Sequence, residues 1–227
     1  MKLVLYSGGD EEDNKSLDKE VIKLVSKKDP LFVFVPADIY DGECGFEEMV
    51  ARFKPLGVKR FLYFPVDVPY DQVLLKEVLS SDIIYLGGGN TYYFIKHLRK
   101  TGFFTELQKF SKRGGVLAGI SAGAIMMTPN IDTAGYPAFD CDDNDDDVTN
   151  FRAMGLVHFE FFPHYKNSDR YDKELKKKSK KKQHPLYALP DGSGIIKDKE
   201  KLSFLGKAWC FYKGEKINLS GKKALSK

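Results

Sequence analysis

The chain has 227 residues, with 36 basic and 32 acidic side chains, a net charge of +4 and 42% hydrophobic residues. This length and composition are typical of one globular domain with a sizeable core, and the near balance of charges gives no indication of a nucleic-acid-binding protein. No apolar stretch approaches the roughly 20 residues that a membrane-spanning helix needs. The three cysteines are too widely spaced for a disulfide framework or a zinc site, which favours a reducing, cytoplasmic setting.

Short apolar runs alternate with amphipathic segments over the first half of the chain. The runs typical of strands are Leu3–Tyr6, Leu31–Val35, Arg60–Phe64, Ile83–Leu86 and Val116–Ile120. The segments with helical spacing are Leu17–Val25, Phe46–Phe53, Val73–Leu79, Tyr92–Leu98 and Phe103–Phe110. This alternation predicts a three-layer α/β fold, in which helices cover both faces of a mostly parallel sheet.

The second half of the chain is less regular. We interpret the acidic run at residues 140–147 as a solvated loop, or as carboxylates that hold a substrate amine. The lysine-rich run at 173–182 is typical of the exposed face of a helix that begins near Ser168. We predict one domain over residues 1–227, with a loose tail from about residue 220. Short apolar runs predict small strands at Ala188–Leu189, Gly194–Ile196, Leu202–Leu205 and Ala208–Tyr212.

Three glycine-rich turns follow predicted strands, at Ser7–Gly9, Gly87–Gly89 and Gly119–Gly123. The carboxyl ends of parallel strands lie at one edge of a sheet, and α/β proteins bind their ligands beyond that edge. We therefore expect the functional site where these three turns gather.

The third of these turns, Gly119-Ile120-Ser121-Ala122-Gly123, carries the most specific signal in the chain. A serine between two glycines, at a strand-to-helix junction, is typical of a nucleophile elbow. Glycine is needed on both sides because side chains would clash in so tight a turn. The following helix would direct free N–H groups toward whatever the hydroxyl attacks. The turn predicts a hydrolase that forms a covalent intermediate on its serine.

Only four histidines are available as the base for such a nucleophile. His97 falls within an amphipathic helix, with its side chain expected at the surface, and His158 falls within a predicted strand. His184 follows the lysine-rich run and is expected to be exposed. His164 comes just past a strand, after Pro163, at the sheet edge where a base is needed. The pattern favours His164.

A serine nucleophile also needs a carboxylate to orient the base and N–H groups to stabilise an oxyanion. Asp191, in a Leu-Pro-Asp-Gly segment, follows another predicted strand, although Pro-Asp-Gly is also a common turn sequence. Glu160 and Asp140 are the rival carboxylates.

The Gly-Gly-Gly-Asn-Thr turn at residues 87–91 follows the fourth predicted strand and precedes a helix. Its backbone can approach a reacting carbonyl closely, so its N–H groups would complete an oxyanion hole with the Ala122 N–H. The alternatives are a phosphate-binding loop and a flexible turn. No Walker lysine follows, and the spacing differs from the dinucleotide-binding fingerprint.

Together these motifs resemble the dipeptidase E (aspartyl dipeptidase) family of serine peptidases, which is related to cyanophycinase. The matching segments run in order through nearly the whole chain: Leu-Gly-Gly-Gly-Asn-Thr at 86–91, Gly-Ile-Ser-Ala-Gly at 119–123, Pro-His-Tyr at 163–165 and Leu-Pro-Asp-Gly at 189–192. The resemblance implies a fold akin to the class I glutamine amidotransferases, with serine in place of the usual cysteine.

The resemblance also implies a triad in the order Ser, His, acid. Ser121 would be the nucleophile, His164 the general base and then acid, and Asp191 the orienting acid. The residues implied for the oxyanion hole are Gly88, Gly89 and Ala122. The residues implied for substrate binding are Asn90, Thr91 and Arg170.

The chain departs from the best-known members of that family at three places. They carry glutamate where this chain has the shorter Asp191, and asparagine where it has Phe162. Their arginine for an N-terminal aspartate follows the histidine segment, and the one arginine in that stretch here is Arg170, which lies among lysines. The family's preference for N-terminal aspartate is therefore left open for this chain.

The sequence predicts a cytoplasmic serine peptidase that cleaves short peptides, of the dipeptidase type. One alternative is an α/β-hydrolase esterase, whose triad order of Ser, acid, His would pair Asp140 with His164. Another is a non-catalytic, small-molecule-binding relative with a broken triad. The expected partner is a short peptide, with no cofactor, metal, nucleic acid or membrane, and the chain is expected to be a monomer or a homodimer.

Overall fold

The computed structural model describes residues 1–40 and 42–219 of the chain. The predicted loose tail from about residue 220 lies outside the described residues, and the single domain over residues 1–227 stays a prediction. None of the described helices is both long and apolar enough to cross a membrane.

Two β-sheets make up the framework of the described residues. The strands, in chain order, are β1 (Lys2–Tyr6), β2 (Leu31–Val35), β3 (Arg60–Tyr63), β4 (Ile83–Leu86), β5 (Val116–Ile120), β6 (Glu160–Phe162), β7 (Leu186–Ala188), β8 (Gly194–Asp198), β9 (Lys201–Leu205), β10 (Trp209–Tyr212) and β11 (Glu215–Asn218). Seven strands form a central sheet in the order β3-β2-β4-β5-β1-β8-β9, and four form a second sheet in the order β11-β10-β7-β6. The first five strands are parallel, whereas β8 and β9 add to the central sheet antiparallel.

Helices cover both faces of the central sheet. They are α1 (Glu11–Leu24), α2 (Gly42–Phe53), α3 (Gln72–Leu79), α4 (Thr91–Lys100), α5 (Phe103–Lys112) and α6 (Ala122–Ile125). A further helix, α7 (Asp169–Ser179), packs against the second sheet. Phe32 of β2 lies in one core with Leu17 of α1 and Phe53 of α2. The next residue, Val33, lies in the opposite core with Phe94 of α4. Successive side chains of the buried strands thus pack into two cores, one on each face of the sheet. The predicted three-layer α/β fold is confirmed.

The largest shift from a predicted boundary is at α1, which begins at Glu11 rather than Leu17. The Asp13 N–H donates to the Asp10 carboxylate at 3.1 Å, and the Asp10 N–H donates to the Asp13 carboxylate at 3.3 Å. This capping box starts the helix, and acidic residues in its first turn suit the helix dipole. Apolar residues at helical spacing begin only at Leu17. The prediction from this spacing therefore left out the polar residues at the start of the helix.

The second sheet packs with α7 around an aromatic core. Tyr165, Tyr171, Trp209 and Phe211 are buried there, and the rings of Tyr165 and Trp209 meet at 5.2 Å between centroids. The predicted helix after Ser168 is confirmed, but it ends at Ser179, so the last lysines of the run at 173–182 lie beyond it. Lys182 is half-buried rather than exposed, because it pairs with the buried Glu160. The late apolar runs predicted small strands, but their division between two sheets was not foreseen because it depends on long-range pairing.

Candidate active site

The turn after β5 has the geometry of a nucleophile elbow. Ser121 has φ +52° and ψ −114°, a backbone conformation that residues with side chains seldom adopt. A Cβ on Gly119 would lie 2.6 Å from the Gly123 carbonyl carbon, and a Cβ on Gly123 would clash with the Leu86 carbonyl oxygen. Both glycines are therefore required, and the tight turn projects the Ser121 side chain beyond the end of the sheet.

Three side chains from separate segments form a continuous hydrogen-bonded chain, here called the Ser-His-Asp chain. His164 Nε2 lies 2.8 Å from Ser121 Oγ, and His164 Nδ1 lies 2.8 Å from Asp191 Oδ1. A carboxylate only accepts, so Nδ1 carries the proton and Nε2 is left to accept from the serine hydroxyl. This arrangement is able to activate Ser121 for attack on a carbonyl.

The rival carboxylates, Glu160 and Asp140, have other partners. Glu160 is buried, and its Oε2 lies 2.8 Å from the Lys182 ammonium. Asp140 is hydrogen-bonded to the Tyr171 hydroxyl. Burial and this carboxylate raise the pKa of Tyr171 to about 12, so the phenol keeps its proton and donates. Among the described residues, neither rival is hydrogen-bonded to His164, and the pairing that an esterase-type order would require is not formed.

The other three histidines differ from their predicted settings. His97 in α4 is half-buried rather than at the surface; its ring lies 4.3 Å from that of Tyr93, and burial lowers its pKa. His158 lies in the bend before β6, not in a strand, and His184 is half-buried rather than exposed. The rings of His158 and His184 lie 6.2 Å apart. None of the three lines the cavity that holds Ser121.

The predicted oxyanion donors lie beside the elbow. A Cβ on Gly88 would lie 3.6 Å from the Ser121 Cβ, and Gly89 has φ +137°. The Gly123 N–H donates to the Gly87 carbonyl oxygen at 3.1 Å, which joins the glycine loop to the elbow. Within residues 1–40 and 42–219, the Gly88 and Gly89 amides donate to no protein acceptor. They and the first N–H of α6, at Ala122, are available as donors for a developing oxyanion.

A cavity of about 310 Å³ is lined by the Ser-His-Asp chain. Lys166, two residues after His164, also lines it, together with Phe162. Arg170 is not among the lining residues, and its guanidinium lies 3.4 Å from the centre of the Phe139 ring. The structure therefore places a different cation in the cavity from the one that the sequence suggested. The sequence signal for Lys166 was its position two residues after His164, because a residue so close to His164 lies at the same edge of the sheet.

Asn90 and Thr91 hold the start of α4. The Asn90 carboxamide oxygen accepts from the N–H groups of Tyr92 and Tyr93 at 3.0 Å, as a helix cap. Its amide nitrogen donates to the Asp143 carbonyl oxygen at 2.8 Å. Thr91 lines the cavity, whereas Asn90 is not among its lining residues.

The acidic run at 140–147 is docked rather than fully solvated. The Thr91 N–H donates to the Asp142 carboxylate at 2.8 Å, and Lys96 pairs with Asp146. A carboxylate at a helix N-terminus is favoured by the helix dipole. Asp140 and Asp142 consequently become part of the cavity wall.

The residues that sequence reasoning missed follow β1. A Cβ on Gly8 would overlap both the Asp191 carboxylate and the His164 ring, so only glycine allows this pair to form as it does. The buried Ser7 hydroxyl accepts the His164 N–H at 2.8 Å. The sequence signal for Ser7 and Gly8 was the Ser-Gly-Gly turn at the carboxyl end of the first strand. It predicted that these residues lie at the site, but it did not indicate what they do there.

The chain is similar to known peptidases. The model of peptidase family S51 matches residues 3–205. The uncharacterized peptidase YgaJ of Bacillus subtilis (strain 168) is 29% identical over 171 residues, which are 73% of this chain and 69% of YgaJ. Peptidase E of Salmonella arizonae is 34% identical over 95 residues, 41% of this chain and 38% of that protein.

A solved structure shares the fold. The crystal structure of a peptidase from an acI-B1 Actinobacterium superposes with a TM-score of 0.77 at 17% identity, covering 100% of this chain and 96% of that one. The likeness to class I glutamine amidotransferases that was expected from the sequence is consistent with this α/β architecture. With the family model matching most of its length, the chain belongs to peptidase family S51 and so to the serine-type peptidases.

Proposed function

We propose that the protein hydrolyses short peptides, dipeptides in particular, through a Ser121–His164–Asp191 triad and an acyl-enzyme. The observation that carries this proposal is the hydrogen-bonded Ser-His-Asp chain, in which both contacts of His164 measure 2.8 Å. The resemblance to the dipeptidase E family supports the same roles.

In the acylation half, His164 Nε2 takes the proton from Ser121 Oγ as the oxygen attacks the scissile carbonyl. Asp191 holds the imidazole in the required tautomer and stabilises the imidazolium. The Gly88, Gly89 and Ala122 amides stabilise the oxyanion of the tetrahedral intermediate, where each donor contributes about 10²-fold or more to the rate. His164 then gives its proton to the leaving amine, and the acyl group stays on Ser121.

In the deacylation half, His164 takes a proton from a water molecule that attacks the acyl-enzyme. The second tetrahedral intermediate uses the same amides, and its collapse returns the proton from His164 to Ser121 Oγ. The first product leaves as an amine and the second as a carboxylic acid, so one water molecule is consumed for each peptide bond.

The size and charge of the cavity support a short substrate with a free N-terminus. Its volume of about 310 Å³ is at the small end of ligand pockets. Asp140 and Asp142 offer carboxylates for the α-ammonium group of such a peptide, and Lys166 offers a cation for an acidic side chain. An N-terminal aspartate would then be favoured through Lys166 rather than Arg170.

Lys166→Met is expected to lower kcat/KM for Asp-X dipeptides about tenfold, the size of one charge-assisted hydrogen bond, and to leave Ala-X dipeptides within twofold. Methionine keeps the length of the side chain but removes its charge. Steady-state kinetics with both substrates measures the difference between the two effects. The control is Lys173→Met, which removes an exposed lysine of α7 away from the cavity. If Arg170→Met instead lowered kcat/KM selectively for Asp-X dipeptides, Arg170 and not Lys166 would be the residue that binds the acidic side chain.

A cytoplasmic location, a short peptide as the only partner, and a monomeric or homodimeric state are also part of the proposal. The three cysteines are free, as suits a reducing compartment.

The test is a substrate panel on the purified full-length protein: Asp-X, Ala-X and Lys-X dipeptides, N-acetylated dipeptides, tripeptides and a small ester, with products measured by mass spectrometry. We expect cleavage of dipeptides with a free amino group, lost after treatment with a fluorophosphonate that leaves one adduct on Ser121. Folded protein that cleaves nothing and takes up no label would favour the non-catalytic relative. An ester turned over while every peptide survives would favour the esterase.

A further inference from the structure

The end of β1 touches each segment that carries a member of the Ser-His-Asp chain. The Ser121 N–H donates to the Tyr6 carbonyl oxygen at 3.1 Å, and the Gly192 N–H, next to Asp191, donates to the Gly8 carbonyl oxygen at 3.0 Å. These bonds hold the nucleophile and the carboxylate through the backbone carbonyl oxygens of Tyr6 and Gly8, so no side-chain atom at either position takes part in them.

The contact to the histidine segment is different because it depends on a side chain. Ser7 is fully buried; its hydroxyl oxygen accepts the His164 N–H at 2.8 Å and donates to the Leu189 carbonyl oxygen at 2.7 Å. The Ser7 N–H is used as well, donating to the Ser193 carbonyl oxygen at 3.0 Å. One hydroxyl thus joins the strand to the loop with His164 and to the loop that leads to Asp191.

His164 needs such a support because of its backbone. Its φ is +54°, in the left-handed region that residues with side chains seldom adopt. Its neighbour Tyr165 is held by a bond from its N–H to the Leu189 carbonyl oxygen at 2.9 Å, so Leu189 accepts from both Ser7 and Tyr165. A change of a few degrees at the His164 backbone would move its imidazole away from Ser121, and catalytic groups need placement within about 0.5 Å.

We propose that Ser7 is a positioning residue for catalysis: its hydroxyl fixes the backbone of His164 and thereby the imidazole between Ser121 and Asp191. The inference rests on the proposed function, since it assigns Ser7 to the machinery of that hydrolysis. Ser7 lies behind the histidine and is not among the residues that line the cavity, so its effect falls on the chemical step and not on substrate binding.

Ser7→Ala is therefore expected to lower kcat about 10- to 100-fold, as for the misplacement of a catalytic group, with KM within twofold of the wild type. The rate constant for inactivation by a fluorophosphonate is expected to fall by a similar factor, because it reports the activation of Ser121. Both are measured on full-length protein whose folding is checked by thermal unfolding.

The chain offers a matched control in Ser179. Its side chain is equally buried, donates to the Lys176 carbonyl oxygen at 3.0 Å and accepts from the Gly214 N–H at 3.1 Å, but it joins α7 to the second sheet. Ser179→Ala is expected to lower the midpoint of thermal unfolding and to leave kcat within twofold. An equal loss of kcat in both alanine variants would overturn the proposal, because it would then reflect general destabilisation.

Ser7→Cys keeps a weak donor and acceptor at the same place and is expected to lose less kcat than Ser7→Ala; it also carries the test if the alanine variant does not fold. Folded Ser7 variants with kcat within twofold of the wild type would refute the positioning role, as would a rise in KM at unchanged kcat. Wild-type protein that neither cleaves peptides nor reacts with the fluorophosphonate would overturn the proposed function itself. An active wild type beside an equally active Ser7→Ala would overturn this inference alone.

Discussion

Ser121→Ala is expected to lower kcat by about 10⁶-fold, the loss that follows removal of the nucleophile in serine hydrolases of this type. Ser121 Oγ is the hydroxyl that the His164 Nε2 meets, at 2.8 Å, whereas the Ser7 hydroxyl meets only the His164 backbone N–H. Alanine meets the same backbone strain as serine at φ +52°, so the fold should be kept. Hydrolysis of the best dipeptide in the panel, with unfolding curves for both proteins, measures the change.

Two further variants control this experiment. Ser203→Ala removes a half-exposed serine of β9 and is expected to keep full activity. Cys141→Ala removes the exposed thiol that lines the cavity and is the second nucleophile to exclude. Undiminished hydrolysis by Ser121→Ala, together with its loss in Cys141→Ala, would transfer the covalent step to the thiol and contradict the assignment of Ser121.

Asp191→Asn is expected to lower kcat by about 10⁴-fold, because an amide no longer holds the imidazole in the tautomer that accepts the serine proton. The geometry leaves little room for compensation: Asp191 meets His164 Nδ1 at 2.8 Å, and Gly8 packs against both side chains. Asparagine is nearly isosteric, so the loss should fall on kcat while the unfolding midpoint changes little. The measurement is kcat and KM for the best dipeptide.

Asp140→Asn is the matched comparison, because this carboxylate lines the same cavity but is bonded to Tyr171. It is expected to raise KM, through a weaker contact with the α-ammonium group, and to leave kcat within tenfold. If instead Asp140→Asn reduced kcat more than Asp191→Asn, the third member of the triad would be Asp140. Asp191→Glu should retain more activity than Asp191→Asn, since a carboxylate remains, although the longer side chain must shift to fit beside Gly8.

The inner strands of the central sheet, β1, β2, β4 and β5, were predictable from the sequence because they are buried almost entirely on both faces. Runs such as Leu31–Val35 are continuously apolar, and every residue of that strand is buried in the structure. In the second sheet, β10 was predicted as Ala208–Tyr212, but the assembly of a separate sheet was not predicted, since β6 and β7 have only three residues each. Runs so short show no alternation of apolar and polar residues. The position of each strand in the sheet depends on pairing with strands far along the chain.

The charged residues around the cavity show a different limit of prediction from sequence. Arg170 was selected for its chemistry, but α7 directs it onto Phe139, while the less conspicuous Lys166 lines the cavity. A residue's type predicts what it is able to bind, whereas the direction of its side chain depends on the element that carries it. The same holds for Ser7, whose proposed role follows only from the contacts of its hydroxyl with two loops in the structure.

The sequence by itself determined the elbow, because the tight turn around Ser121 requires glycine at positions 119 and 123. These residues lie close to the serine in the sequence, so the requirement is local. Only the tertiary structure decided what surrounds that serine. His164 lies 43 residues further along the chain and Asp191 another 27. His164 contacts Ser121, and Asp191 contacts His164, because separate loops converge at the end of β1. The distances between these side chains and the contacts of the Ser7 hydroxyl arise from packing between segments remote in sequence, which no local pattern encodes.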